Sequence, residues 1–510
     1  MVQNLGFISV IPVLVTLILA IWTRNVILGL FIGVFTGVLI LNGLNPFTGI
    51  STVIEKYIVN QVIKPSNAGM LVLMSLIGGL VGLMEKSGGA AAFAGMVIKY
   101  ISSKTKALMA AWVSGSLLFF TDSGTPLIVG PLFRPIVDGL KISRAKLAWI
   151  VDSTASPIAV LIPFISWGLY SQGLISQEYS ELGLTENAFT VYVKAIPFQF
   201  YSIMAVVLVP MIVLLKADFG PMKKEEDDCL NGINQDNKES VHLEIQENAK
   251  PNMVWLPLSI MMLVLFGLLI PHGFPNDMEQ IPSNAFRSSL SAAYVFAALS
   301  LIILMAKYGI KSLPDGFNLY LKSIGKMVNI LIILVLAWSL GALGKDLGTA
   351  NYIVSLAEGS FPPYLIPMIA FLVGGIISFS TGSSWGTYAI LFPLIIPMAY
   401  QFDAPMTVCI GAVLSGGLFG DHCSPISDTT ILSATGAGCS QLDHVKTQLP
   451  YALMNAACCL VAFIFAGVTG SIWGLAIGIA LMLFVLIGVR SWVKKSSKVA
   501  WEVGNPKIDI

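Results

Sequence analysis

Asp152-Ser153-Thr154-Ala155-Ser156-Pro157-Ile158 and Asp421-His422-Cys423-Ser424-Pro425-Ile426-Ser427-Asp428-Thr429-Thr430 are two hydroxyl-rich stretches inside apolar sequence, each broken at a Ser-Pro-Ile step. An offset of 268 residues aligns Pro157 with Pro425 and Ser153 with Asp421. Each is preceded by a second polar cluster, Phe119-Phe120-Thr121-Asp122-Ser123-Gly124-Thr125-Pro126 in one half and Ser378-Phe379-Ser380-Thr381-Gly382-Ser383-Ser384-Trp385 in the other. Helix-breaking polar sequence survives at membrane depth only where protein or a water-filled cavity satisfies it. Interruptions at matching positions of two halves mark the binding site of a secondary transporter.

Composition sets the class. Of the 510 residues 55% are apolar and 11% charged, against roughly 25% charged in soluble domains. Apolar runs of about 17–25 residues, enough to cross a bilayer core of about 30 Å, recur along the chain. The net charge of +1 carries no signal for nucleic acid, and the six cysteines have no disulfide-framework spacing. The N-terminus lacks the basic region and cleavage site of a signal peptide, so its first apolar run is expected to stay as a helix. The expected fold is an all-α polytopic membrane protein with inverted repeats, two opposed re-entrant hairpins and broken transmembrane helices.

The first half, 1–215, holds a hairpin at about 107–146 and a broken helix at about 146–170. A polar segment at 216–252 reads as a cytoplasmic linker. The second half, 253–490, holds a hairpin at about 362–400 and a broken helix at about 405–435, and 491–510 forms a charged cytoplasmic tail. The stretches 126–137 and 387–400 are too short to span and read as returning hairpin arms. Basic residues in short loops set orientation. Lys99, Lys104, Lys106, Arg134, Lys141, Arg144 and Lys146 flank the first hairpin, which should enter from the cytoplasm. Glu358 and Asp403 flank the second, which should enter from outside, and 171–193, with Glu178, Glu181 and Glu186, suits an external loop. An offset of 259 aligns Lys86 with Lys345 and Gly89 with Gly348, and counting spans puts Lys86 inside and Lys345 outside. Charge bias and repeat thus agree on inversion.

The chemistry follows from the breaks. Pro157 cannot donate to the carbonyl of Ser153, nor Pro425 to that of Asp421. Each freed carbonyl has hydroxyls nearby: Thr154 and Ser156 in one half, Ser424, Ser427, Thr429 and Thr430 in the other. A small hard cation wants such oxygen ligands, although Ser and Thr also patch ordinary proline kinks. Asp122, Asp152, Asp421 and Asp428 fall in apolar surroundings, where an ionised side chain costs about 3 kcal/mol or more. A carboxylate that binds either a proton or Na+, but not both, is the simplest route to exchange. Na+ is therefore expected at Asp152 and Asp421. The bland alternative for each Asp is a helix cap or ion pair, strongest for Asp122, which with Ser123 and Gly124 makes a good local turn. The tips, with Ser123 and Thr125 in one and Thr381, Ser383 and Ser384 in the other, could offer hydroxyls to a cation or helix N–H groups to an anion. Trp167 and Trp385 read as packing. His422, beside Asp421, is a candidate proton relay. A zinc site from His422, Cys423, Cys439 and His444 fits no ligand spacing, His444 being read in a loop. Gly417-Leu418-Phe419-Gly420-Asp421 is an inexact match to the motif of intramembrane aspartyl proteases, which have no need of paired hairpins, so no enzyme is expected.

These stretches, together with Phe133-Arg134-Pro135-Ile136 and Lys141-Ile142-Ser143-Arg144-Ala145-Lys146-Leu147-Ala148, resemble the NhaC family of Na+/H+ antiporters within the wider ion-transporter superfamily. The resemblance covers most of the chain. It implies scaffold and transport domains, a site between opposed hairpins and a homodimer. Its members include sodium/proton exchangers, a malate/lactate exchanger and amino-acid transporters. The expected function is Na+/H+ antiport across the inner membrane by alternating access, with Na+ as transported or coupling ion and no other cofactor. The alternative is Na+- or H+-coupled transport of a small carboxylate or amino acid.

Overall fold

A computed structural model describes residues 5–98, 101, 103–232, 248–275, 281–349, 352 and 362–504. Lys99, Glu358, 233–247 of the linker and the last six residues of the tail lie outside the described residues. Every regular element described is helical. The main helices are α1 (Ile11–Thr23), α2 (Val26–Leu41), α3 (Pro65–Lys86), α4 (Lys104–Leu117), α5 (Gly124–Gly139), α6 (Arg144–Thr154), α7 (Ser166–Glu181), α8 (Phe200–Leu215), α9 (Gly220–Leu230), α10 (Asn252–Leu269) and α11 (Ser283–Lys307). The chain continues through α12 (Leu313–Gly325), α13 (Val328–Leu347), α14 (Ile366–Thr381), α15 (Ser384–Gln401), α16 (Met406–Cys423), α17 (Asp428–Ala437), α18 (Gln441–Thr469) and α19 (Trp473–Gly504). Among the described residues nine helices are long and apolar enough to cross a membrane, and two bent pairs add to them. The protein is a multi-pass membrane protein.

The order long helix, hairpin, broken helix occurs twice: α3, α4–α5, α6 and its break, then α13, α14–α15, α16 and its break. The long helices α3 and α13 lie antiparallel. Glu85 near the end of α3 approaches Lys326, just before α13, at 3.6 Å, whereas Lys64 before α3 and Lys345 near the end of α13 both reach Glu181. Local chemistry sets the hairpin ends. Ser103 caps α4, Ser143 caps α6 and Ser383 caps α15, each through its hydroxyl, satisfying N–H groups that a helix start leaves unpaired. Gly382 turns the second tip with φ +66°, a left-handed geometry in which a side chain would also strike the Ile426 carbonyl.

Glycine lets the hairpins seat on the second half's broken helix. A Cβ at Gly436 of α17 would overlap the Pro126 carbonyl of α5, and one at Gly416 or Gly420 of α16 would overlap the Phe371 or Gly375 carbonyl of α14. In the absence of a hydrophobic driving force between helices in lipid, small residues that admit close backbone approach supply the packing.

Two sequence expectations need correction. The segment 171–193 is not a loop: α7 runs through it to Glu181, burying Gln172, Gln177 and Glu178. The two glutamines are tolerable because partners meet them, Gln172 donating to the Pro163 carbonyl and Gln177 to Glu181. Nor is all of 216–252 a free linker. Its start folds as α9 against the base of the first hairpin, where the Ser143 N–H donates to Glu226 (2.8 Å) and buried Lys146 pairs with Asp218 (2.6 Å). Shorter helices also form at Pro46–Thr52, Gly89–Ile98 and Leu313–Gly325.

Candidate functional site

Both hairpin tips and the second break meet at one cavity of about 980 Å3. Its exposed lining residues, Arg24, Asn25, Lys86, Lys326, Asn329 and Asp428, mark a mouth with three basic side chains and one acidic one. Deeper lie Thr121, Asp122, Ser123 and Gly124 from the first tip, Thr381, Gly382 and Ser383 from the second, and Asp421, Ser427 and Thr429 from the break. Trp167 and Trp385 line it as well, their rings 4.2 Å apart, and Tyr170 donates to the Trp385 carbonyl at 2.8 Å behind them.

Asp421 occupies the last turn of α16 and is only 4% exposed. Ser427 donates to its Oδ1 at 2.9 Å and lies 3.0 Å from the Thr429 hydroxyl, so a carboxylate and two hydroxyls crowd one corner of the cavity. The Asp421 carbonyl that Pro425 was expected to free takes the Ser424 N–H at 3.1 Å, because the chain tightens into a turn as it leaves the helix. Asp122 behaves as a turn former: its Oδ1 accepts from the Ser123 N–H (2.8 Å) and hydroxyl (3.1 Å), and its Oδ2 accepts from the Trp167 indole (2.8 Å). Trp167 therefore does more than pack, since it ties the first tip to α7.

Asp152 is elsewhere. It is 1% exposed and outside the cavity lining. Ser433 donates to its Oδ1 at 3.2 Å, Gln448 donates to its Oδ2 at 2.7 Å, and His444 Nε2 lies 3.3 Å from the same oxygen. His422 turns toward this network and away from the cavity, with Nε2 at 3.3 Å from the Ser153 hydroxyl and Nδ1 at 2.9 Å from the Tyr201 hydroxyl. The other predicted hydroxyls have local partners. Thr154 bonds back to the Ile150 carbonyl, Thr125 to that of Thr121, Ser384 to that of Gly417 and Ser424 to that of Phe379. Ser156 is buried. The structure thus gathers Asp122, Ser123, Thr381, Ser383, Asp421, Asp428 and Thr429, and leaves Asp152, Ser153, Thr154, Ser156, Thr125, Ser384 and Ser424 outside the lining.

Residues of α18 complete the buried network, and of these only His444 is singled out in the sequence reading. His444, read there in a loop, sits on this helix, whose start Ser440 caps by accepting the Asp443 N–H. Gln441 donates to the Pro425 carbonyl, Gln448 to the His422 carbonyl as well as to Asp152, Tyr451 to Asp218 and Asn455 to the Tyr201 carbonyl. Gln441, His444, Gln448, Tyr451 and Asn455 recur at steps of three and four, a polar stripe on one face of a helix. That spacing was the available signal, although Asp443, Lys446 and Thr447 in the same stretch mask it. Among the described residues no group of three His, Cys, Asp or Glu side chains is arranged to hold a metal ion.

Residues 158–468 match the model of the Na+/H+ antiporter family. An uncharacterized protein of Haemophilus influenzae is 32% identical over 96% of this chain and 95% of its own length. The malate-2H+/Na+-lactate antiporter of Bacillus subtilis is 30% identical over 21% of this chain and 24% of its own. Among solved structures, the YdaH transporter of Alcanivorax borkumensis superposes with a TM-score of 0.56 at 14% identity, covering 84% of this chain and 90% of that one. The chain belongs to the Na+/H+ antiporter family, and its fold is that of a membrane transporter.

Proposed function

We propose that this member of the Na+/H+ antiporter family exchanges Na+ for H+ across the inner membrane by alternating access, binding Na+ at the Asp421–Ser427–Thr429 corner. The observation that carries the reading is Asp421 itself: a carboxylate in the last turn of a broken helix, lining a cavity between two hairpin tips. A Na+ ion there would be met by oxygens from Asp421, Ser427 and Thr429 and by water entering from the mouth. Proton binding to the same carboxylate removes its charge, so the two cations compete. The antiparallel course of α3 and α13 supports an inverted repeat, and the basic mouth, carrying Lys86 and Lys326, supports a cavity open to the cytoplasm. Asp428 and the tip residues Ser123, Thr381 and Ser383 would complete the path of the ion. The homodimer rests on the family alone. The test is a proteoliposome assay with an internal pH dye, in which Na+ added outside should drive proton movement in the wild type and not in Asp421→Asn.

A second reading is favoured by one observation. A cavity of about 980 Å3 lies at the upper end of the range typical of small-molecule sites and far exceeds what a bare cation fills. In this reading Na+ or H+ is the coupling ion and the cargo is an amino acid or a small carboxylate, the latter like the malate and lactate in the name of the Bacillus subtilis relative. Its anionic group would face Lys86, Lys326 and Arg24 at the mouth. Organic substrate uptake that requires Na+, measured in the same vesicles, distinguishes the two.

A further inference from the structure

The alignment of Lys86 with Lys345 puts two exposed lysines at opposite ends of the antiparallel α3–α13 pair. Lys86 is exposed at the open mouth of the cavity. Lys345, at the far end of the antiparallel helix, is engaged: its Nζ donates to Glu181 Oε2 at 2.8 Å and to the Glu181 carbonyl at 2.9 Å. Lys64, before α3, donates to Glu181 Oε1 at 3.0 Å, and Gln177 donates to the same oxygen at 2.8 Å. One carboxylate therefore joins α3, α7 and α13 at the end opposite the mouth. Below it, Trp338 of α13 donates to the Gly173 carbonyl of α7 at 3.1 Å, and a Cβ at Gly341 would overlap buried Glu178. At its inner end α7 carries Trp167 of the cavity wall, about 21 Å from Glu181 along the helix.

We infer that the Lys64–Glu181–Lys345 cluster is an ionic gate that closes the outer end of the transport path by pinning α7 between α3 and α13. The inference rests on the alternating-access reading above. An isolated exposed ion pair holds little, but Glu181 is shared by two lysines and its side chain is only 19% exposed. Removing it releases both long helices from α7 together, and the population of outer-open molecules rises.

The test uses Leu174→Cys, a buried position on α7 below the cluster, in the full-length protein in proteoliposomes. A membrane-impermeant thiol reagent is added on the side bearing Lys64 and Lys345, and labelling of the parent chain is subtracted. Labelling should be slow with the cluster intact and about tenfold faster with Glu181→Gln or Lys345→Gln. Lys56→Gln, which breaks the exposed Lys56–Asp346 pair, should leave it unchanged, so that general loosening is told apart from gate opening. Equal labelling in all variants, or equal acceleration by Lys56→Gln, overturns the gate. Should Glu181→Gln fail to insert, Lys345→Gln decides alone. A parent protein with no coupled transport in the pH-dye assay overturns the transport reading instead, and with it this inference.

Discussion

The two broken helices start from similar sequence and end in different chemistry. Around Pro425 the helix presents Asp421 to a water-accessible cavity, with Ser427 and Thr429 beside it. Around Pro157 the helix presents Asp152 to the interior of the protein, where Ser433, Gln448 and His444 enclose it. A carboxylate facing water can exchange its proton for an ion without leaving a buried group unpaired. A carboxylate that accepts two neutral donors in a dry interior serves first to hold helices together. Repeat symmetry in sequence therefore does not make the two half-sites equal in work.

The sharpest way to break this comparison is to remove charge from each Asp in turn. Asp421→Asn should take Na+-driven proton movement to background, while its amide oxygen can still accept from Ser427, so thermal stability in detergent should change by no more than about 1–2 kcal/mol. Activity surviving in Asp421→Asn would return the ion to Asp152 and erase the distinction. Asp152→Ala should do the reverse on stability. It leaves Ser433, Gln448 and His444 facing a void and should destabilise the protein by about 3–5 kcal/mol, read as a fall in melting temperature or in folded yield. An unchanged melting temperature would show that the network is not a structural tie.

A smaller effect is expected where α17, just beyond the second break, is packed against the first hairpin. Gly436→Ala drives a methyl group into the Pro126 carbonyl and should cost about 1–3 kcal/mol, measurable by thermal unfolding. The mildest effect belongs to Asp122. Its Asn variant keeps an oxygen for the Ser123 N–H or the Trp167 indole, so transport should fall by no more than about tenfold, roughly one charge-assisted hydrogen bond. Loss to background in Asp122→Asn would place that residue beside Asp421 as an ion ligand.

Much of the fold was legible because bilayer chemistry restricts it. Apolar runs of spanning length, basic loops and proline breaks announce a polytopic helical protein, and the tips at Thr121–Thr125 and Thr381–Thr387 do face the cavity in part. The α3–α13 antiparallel pair was foreshadowed by Lys86 and Lys345. The segment 171–193 differs from the expected external loop because polarity there does not mean exposure: Gln172 donates to the Pro163 carbonyl, and Gln177 meets Asn67 of α3 and Glu181 of its own helix.

By itself the sequence determined that the chain is a bundle of apolar helices and marked the two Ser-Pro-Ile steps at which helices end, although proline alone did not decide it, since Pro131, Pro210 and Pro450 lie inside continuous helices. It also set four acidic residues in apolar surroundings, where an ionised side chain is costly without a partner. Only the tertiary structure decided which way each one faces. The direction of a side chain around a broken helix depends on what packs beside it. For Asp152 that neighbour is the polar stripe of α18, some 290 residues away, whose Gln448 and His444 close over the carboxylate. Asp421, by contrast, lines the cavity beside the two hairpin tips, with Ser427 as its hydrogen-bond donor.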